Sequence, residues 1–220
     1  HLAELERKAL QAQMNPHFIF NCLNSIQNYI VQNENQTAAI YLSRFARLVR
    51  STLNASVAGK ISLSEEMDLL ENYLSLEKLR LGDRFDFEVK IDPETDPDDV
   101  RLPPMLVQPY VENAVLHGIR GRVSGGRISI FFRENAGYLE VSVQDNGNGF
   151  SPAPNPVSTS SADRIDAPPH KSVGMSITRR RMELLEKSAR TDLVQMEEIK
   201  DADVKVTGTL VRLKIKIEDC

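Results

Sequence analysis

Apolar residues at the start of the chain recur at alternating spacings of three and four: Leu2, Leu5, Ala9, Ala12, Pro16, Ile19, Leu23, Ile26 and Ile30. That is a heptad seam, the pattern of a helix packed lengthwise against partner helices. His17 falls beside the seam, so its imidazole is expected to face solvent. Pro16 removes the hydrogen bond to the Ala12 carbonyl and predicts a kink just before the histidine. After a polar break at Asn33 and Asn35, a second amphipathic helix is predicted from about Thr37 to Ala55. Its apolar side is Tyr41, Leu42, Phe45, Leu48, Val49, Thr52 and Leu53, with Arg44 and Arg47 opposite. Two such helices read as an antiparallel hairpin whose apolar surface exceeds what one copy can bury. Dimerisation into a four-helix bundle is the expected solution. Ser62-Leu63-Ser64-Glu65 offers a capping box for a third helix that ends near Gly82.

Beyond Gly82 the period changes to two. Phe85, Phe87, Val89 and Ile91 alternate with Asp86, Glu88 and Lys90, a strand with one buried face. The acidic stretch 92–99 reads as a solvated turn rather than a calcium loop. Pro103-Pro104 is expected to start an apolar helix that runs to about His117. Strands are expected at 128–132, 139–144, 193–199 and 209–217, with a helix at 174–188. Segregated helices and mostly antiparallel strands predict an α+β fold. Its expected form is a dimerising helical hairpin over 1–82 and a two-layer α/β sandwich over 83–220. The Pro/Ser/Asp-rich stretch 151–172 lacks periodicity and lies between glycine-bearing segments, which marks it as a lid.

Composition narrows the class. The chain has 220 residues, is 41% hydrophobic and 26% charged, and carries a net charge of −4 without a basic stripe. Direct nucleic-acid binding is therefore not expected. Cys22 and Cys220 form neither a metal-ligand spacing nor a disulfide framework. No apolar run approaches the ~20 residues that span a bilayer. The chain opens in helical pattern on His1, which reads as a fragment of a longer protein.

Two motifs carry chemistry. Asp145-x-Gly147-x-Gly149 follows a strand, where glycines let backbone approach a ligand and a buried carboxylate can accept from an adenine amino group. A simple Asn-Gly turn is the competing reading. Asn113 and His117 lie four apart on one helical face, and the Asn113 amide oxygen suits Mg²⁺. A helix-terminal role favoured by the dipole is the alternative for His117. The other motif is Asn15-Pro16-His17-Phe18-Ile19-Phe20-Asn21. A nucleophilic nitrogen and a triphosphate site on one chain imply phosphoryl transfer to the protein itself.

These segments resemble the GHKL nucleotide-binding superfamily of gyrase, MutL-like repair proteins, the heat-shock chaperone and sensor histidine kinases. The resemblance makes Asn113 the magnesium ligand, Asp145 the adenine acceptor, and Gly147 and Gly149 its glycine box. Lys171-Ser172-Val173-Gly174-Met175 resembles the second glycine box, and Thr209 the pocket threonine. The whole chain from about residue 8 is similar to LytS/YehU-type sensor histidine kinases. The matching segments are 11–26 around His17, 73–85, and Leu102-Pro103-Pro104 through Asn113-Ala114. The second glycine box departs from the pattern, with Ser172 for the usual glycine and Ile177 where asparagine is common.

The resemblance implies an ATP- and Mg²⁺-dependent protein histidine kinase that autophosphorylates His17. It further implies a homodimer and a response regulator partner, in this family often with a LytTR-type DNA-binding domain. Upstream segments would anchor the protein in the plasma or inner membrane, with this portion cytoplasmic. Phe18 stands where many histidine kinases place an acid, so the base that orients His17 is not identified. Asn21, one turn onward, is a candidate for that orienting role, as is a plain capping or surface role. Pro109 occupies the position where ATP-hydrolysing members of the superfamily carry an acid, which favours transfer to protein over transfer to water. Two alternatives stay open, a degenerate kinase serving as a dimeric binding module and a conformational ATPase.

Overall fold

The computed structural model describes residues 16–119, 122–149 and 193–217, with the side chains of Pro16 and His17 outside that description. Three helices come first: α1 (Pro16–Val31), α2 (Asn35–Ala58) and α3 (Leu63–Leu81). Asn33 takes a φ of 60° at the turn between α1 and α2, a conformation asparagine tolerates well. α3 starts on the expected capping box, with the Ser62 hydroxyl accepting from the Glu65 N–H and the Glu65 carboxylate accepting from the Ser62 N–H. It stops at Gly82, whose φ of 64° an L side chain would resist.

The described part of the seam forms little of the internal contact: of Ile19, Leu23, Ile26 and Ile30, Ile26 alone packs on the core. Phe18 and Cys22 are buried instead, while Leu23 and Ile30 are exposed and Ile19 and Ile26 half-buried. The aromatic side chains explain the choice. The Phe18 ring sits 5.0 Å from Tyr73 of α3 and 6.4 Å from Phe45 of α2, and Tyr29 lies 6.0 Å from Tyr41. Burying a side chain of this size contributes about 1.5–3 kcal/mol, and the aromatic pairs add about 0.5–1.5 kcal/mol that the aliphatic seam residues lack. The Tyr29 hydroxyl adds a hydrogen bond to the Leu79 carbonyl at 2.8 Å. On α2 the apolar side divides. Tyr41, Leu48 and Thr52 face inward, and Leu42 and Leu53 are left outside. The seam residues 2–15 and the kink expected before His17 lie outside the described residues.

Beside the two-residue strands β1 (Ile61–Ser62) and β3 (Arg101–Leu102), the described residues form β2 (Phe85–Ile91), β4 (Gly126–Asn135), β5 (Tyr138–Asp145), β6 (Val194–Lys200) and β7 (Val206–Lys216). These last five make one sheet in the order β2-β4-β5-β7-β6. β2 runs parallel to β4 and every other pair is antiparallel. Alternation puts Ile128, Ile130, Phe132, Leu139, Val141, Val143, Val211, Leu213 and Ile215 on the buried face. β4 continues past the expected end at 132 because its polar tail pairs with β5 through a two-residue turn. Ala136 and Gly137 there have φ of 51° and 77°.

The segment after Leu102 departs most from expectation. No helix starts at Pro103-Pro104: α4 is short (Gln108–Asn113) and continues as a π-helical turn, Ala114–Ile119. The cause lies in α3. Glu66 accepts from the N–H groups of Met105 and Val107, and Met105 adopts a φ of 60° that no helix permits. Two-residue strands β1 (Ile61–Ser62) and β3 (Arg101–Leu102) pair beside this turn. Within 92–99 the Asp92 and Asp96 carboxylates cap the Glu94 and Asp98 N–H groups, as a turn requires. Thr95 is nevertheless buried, and its hydroxyl oxygen accepts from the Glu134 N–H at 2.9 Å. The expected lid over 151–172 and helix over 174–188 fall outside the described residues.

Candidate functional site

β5 ends at Asp145 because the next residue leaves the ladder. The Asn146 N–H still donates to the Arg127 carbonyl at 3.2 Å, but its side chain, not its carbonyl, accepts from the Arg127 N–H at 2.7 Å and donates to the Gly125 carbonyl at 2.9 Å. Asp145 is left on the inner face of the sheet, 6% exposed. Gly147 donates its N–H to Asp145 Oδ1 at 2.8 Å. Burial pushes the Asp145 carboxyl above the ordinary carboxylate range, opposed by hydrogen bonds from Gly147 and from the Thr209 amide and hydroxyl. Thr209 is the direct β7 partner of Asp145 in the ladder.

Glycines surround this carboxylate. A Cβ on Gly118 would lie 2.7 Å from the Asp145 carboxyl, one on Gly147 2.3 Å from the Gly118 Cα, and one on Gly208 2.1 Å from the Asp145 carbonyl oxygen. Three backbones thus touch where side chains would fill the space. Glycine at these positions lets the three backbones pack closely around the carboxylate. Gly149 has a φ of 77° and lies against Val206 and Glu198.

The π turn joins this slot to Asn113. Gly118 contacts Asp145, and Asn113 lies five residues before it at the end of α4. The Asn113 amide nitrogen donates to the Pro109 carbonyl at 2.7 Å, which makes the oxygen the pole that a cation would meet. One amide oxygen suits Mg²⁺, which takes most of its shell from phosphates and water. Glu112 accepts from the Gln108 amide at 3.0 Å. His117 is exposed on the π turn, and the wider turn keeps it near the Asn113 face.

His17 is in the first turn of α1. Along α1 the positions at helical spacing from it, Asn24 and Asn28, are exposed, whereas Phe18 and Cys22 are buried. Asn21 is half-buried one turn along, its carbonyl accepting from Ser25 Oγ at 2.9 Å. The structure therefore gathers Asp145, Gly147 and Thr209 in one slot, with Asn113 on the helix that leads into it. Lys171, Ser172, Gly174 and Met175 lie outside the described residues.

A family model described as "Histidine kinase" matches residues 5–85. The "Sensor protein LytS" of Staphylococcus epidermidis is 36% identical over 148 residues, which is 67% of this chain and 24% of that protein. The "Sensor histidine kinase/phosphatase LytS" of Staphylococcus aureus is 36% identical over 151 residues, 68% of this chain and 25% of its own. The chain belongs to the histidine kinase family. This histidine kinase chain spans about a quarter of the length of the curated relatives it matches. Among solved structures, the histidine kinase domain of the Erythrobacter litoralis blue-light activated histidine kinase aligns with a TM-score of 0.48 at 19% identity. It covers 97% of this chain and 95% of that one.

Three residues around the Asp145 carboxylate carry no signal of their own in the sequence. Gly118 and Gly208 matter because each packs on Asp145 from a distant segment, and only their positions beside His117 and Thr209 hint at it. Arg122, half-buried beyond the π turn, places its positive charge near the Asp145 carboxylate. In the histidine-bearing hairpin, Cys22 is buried beside Tyr41, whose hydroxyl lies 3.5 Å from its sulfur. Burial pushes the Cys22 thiol up to about 11.

Proposed function

We propose that this chain is the kinase core of a two-component sensor, binding Mg²⁺-ATP and transferring the γ-phosphoryl group to His17. The observation that carries the reading is the glycine-walled Asp145 carboxylate, with Thr209 beside it, on a chain of this family that also bears a helical histidine. The adenine amino group donates to Asp145, and Thr209 completes the pocket edge. Asn113 holds Mg²⁺, and Gly147, Gly149, His117 and the segment bearing Lys171, Ser172, Gly174 and Met175 complete the nucleotide site. The metal, when bound, neutralises charge on the β and γ phosphates. Imidazole in its neutral form is a competent nucleophile. Its nitrogen forms a bond to the γ phosphorus as the bond to the bridging oxygen breaks, and ADP leaves. Asn21 is a candidate for orienting the ring.

The phosphoryl group then passes to an aspartate of a response regulator, for which we favour the LytTR type. Residues 1–82 serve as the dimerisation and phosphoacceptor unit and 83–220 as the ATP-binding unit. Exposed Leu23 and Ile30 on α1 and Leu42 and Leu53 on α2 support a homodimeric four-helix bundle. Upstream segments of the longer protein would place it at the plasma or inner membrane with this portion in the cytoplasm. Among the described residues no helix is long and apolar enough to cross a membrane. Pro109 at the position of the hydrolytic acid supports transfer to protein over water.

Incubation with γ-labelled ATP tests the reading. Label should accumulate on the protein in a Mg²⁺-dependent manner. Stoichiometric release of free phosphate without labelled protein would favour the conformational ATPase, and neither product would favour the binding module.

A further inference from the structure

Glu66 stands in the apolar face of α3, between Leu63 and Leu70, and is 1% exposed. A carboxylate in that position is costly unless hydrogen bonds replace its water. Its two oxygens accept from backbone donors on a different segment, Met105 N–H at 2.9 Å and Val107 N–H at 3.4 Å. Met105 has a φ of 60°, a conformation disfavoured for any residue with a Cβ, so the turn relaxes unless something holds it. The Val107 carbonyl then accepts from the Tyr110 and Val111 N–H groups at 3.0 and 3.3 Å, the bonds that start α4. α4 has six residues and ends at Asn113. Glu66 thus fixes the direction from which Asn113 enters the nucleotide site.

The same face of α3 holds the phosphoacceptor helix. Tyr73 is two turns beyond Glu66, on the same side, and its ring is 5.0 Å from Phe18, the residue after His17. One rigid helix therefore touches the neighbour of His17 at one point and the turn before Asn113 at another.

We infer that Glu66 is a positioning residue that sets the metal-binding asparagine, Asn113, by holding the Met105–Val107 turn in its strained form. The inference rests on the reading of Asn113 as the Mg²⁺ ligand. In this role Glu66 touches neither nucleotide nor metal, and it acts through the backbone N–H groups of Met105 and Val107. At the adenine end, Asp145 is set by its pairing with Thr209 across the β5–β7 ladder, which Glu66 does not touch.

The test compares affinity of the intact chain for a non-hydrolysable ATP analogue with Mg²⁺ and with EDTA. In Glu66→Ala the Mg²⁺-dependent gain in affinity should fall about tenfold, as for outer-shell partners of metal ligands, with the EDTA affinity unchanged. Glu66→Gln, which preserves shape and one acceptor oxygen, should lose part of the gain and covers the event that the alanine variant does not fold. Adding Met105→Gly to either variant should restore most of the gain, because glycine adopts the positive φ without strain. Asn113→Ala reports on the underlying site and should abolish the gain alone. If Asn113→Ala loses the gain while both Glu66 variants keep it, the positioning role is overturned and the metal site stands. If Asn113→Ala keeps the gain, the metal reading fails and the inference falls with it. A merely structural Glu66 would lower the melting temperature and weaken both affinities equally, with no recovery of the Mg²⁺ gain by Met105→Gly; that result also overturns it.

Discussion

Thr209 lies directly across the β5–β7 ladder from Asp145, and donates to the carboxylate that the Gly147 N–H also meets. The acceptor at the heart of the slot is therefore set by strand pairing, and strand pairing is hard to shift by small changes elsewhere.

Burial raises the Asp145 pKa in the folded protein, which gives a sign to its pH dependence. Between the unfolded and the raised folded value the folded state keeps a proton that the unfolded chain has released. The stability contributed by this group is thus full below about pH 4 and is lost as pH rises through the folded value. Asp145→Asn does not titrate. In nucleotide-free protein it should gain stability relative to wild type as pH rises from about 4 to about 7, while nucleotide affinity falls. Melting curves at the two pH values check the first half and calorimetric titration with nucleotide the second. Equal pH profiles for the two proteins would mean that Asp145 is not shifted.

Gly118→Ala places a methyl group 2.7 Å from the Asp145 carboxyl. The side chain must turn out of the slot, at an overpacking cost of about 1–3 kcal/mol. Nucleotide affinity should fall by about tenfold or more, since 1.4 kcal/mol is one decade. Unchanged affinity in a folded variant would show that Asp145 does not face the ligand.

Leu23 and Leu53 are 49% and 52% exposed in the single chain, so charging them removes little packing. Leu23→Glu should change monomer stability by no more than about 0.5 kcal/mol, as ordinary surface substitutions do, yet shift the sedimentation equilibrium toward monomer. Wild-type association in that variant would place the dimer contact elsewhere.

Cys22 is fully buried and its thiol is pushed up to about 11, so the reactive thiolate is scarce at pH near 8. Iodoacetamide should leave Cys22 unmodified in the native protein and modify it after denaturation, as peptide mass mapping would read. Rapid native labelling would indicate that α1 opens away from α2 and α3.

The helices and strands that follow strict periodicity were legible in the chain, because burial on one face is what the period encodes. Ser62 and Gly82 bounded α3 through local capping, and Phe85–Ile91 alternated cleanly. The segment after Pro103 was not legible. Its conformation depends on Glu66, about forty residues earlier, and nothing local at Met105 announces a positive φ. The seam raised a different difficulty. Leu23 and Ile30 were correctly apolar, but periodicity alone does not say which of two adjacent stripes meets the same chain, and the aromatic contacts of Phe18 decide it. In the slot, Asp145, Gly147 and Thr209 could be named from sequence. Gly118 and Gly208 could not, since their role is a close approach between distant backbones.

Phosphoryl transfer to His17 is tested most directly by His17→Gln. Wild-type chain incubated with γ-labelled Mg²⁺-ATP should take up label that is lost in acid and kept in alkali, as a phosphoramidate bond behaves. The variant should take up none while binding nucleotide normally. Acid-stable label that persists in His17→Gln would contradict the account.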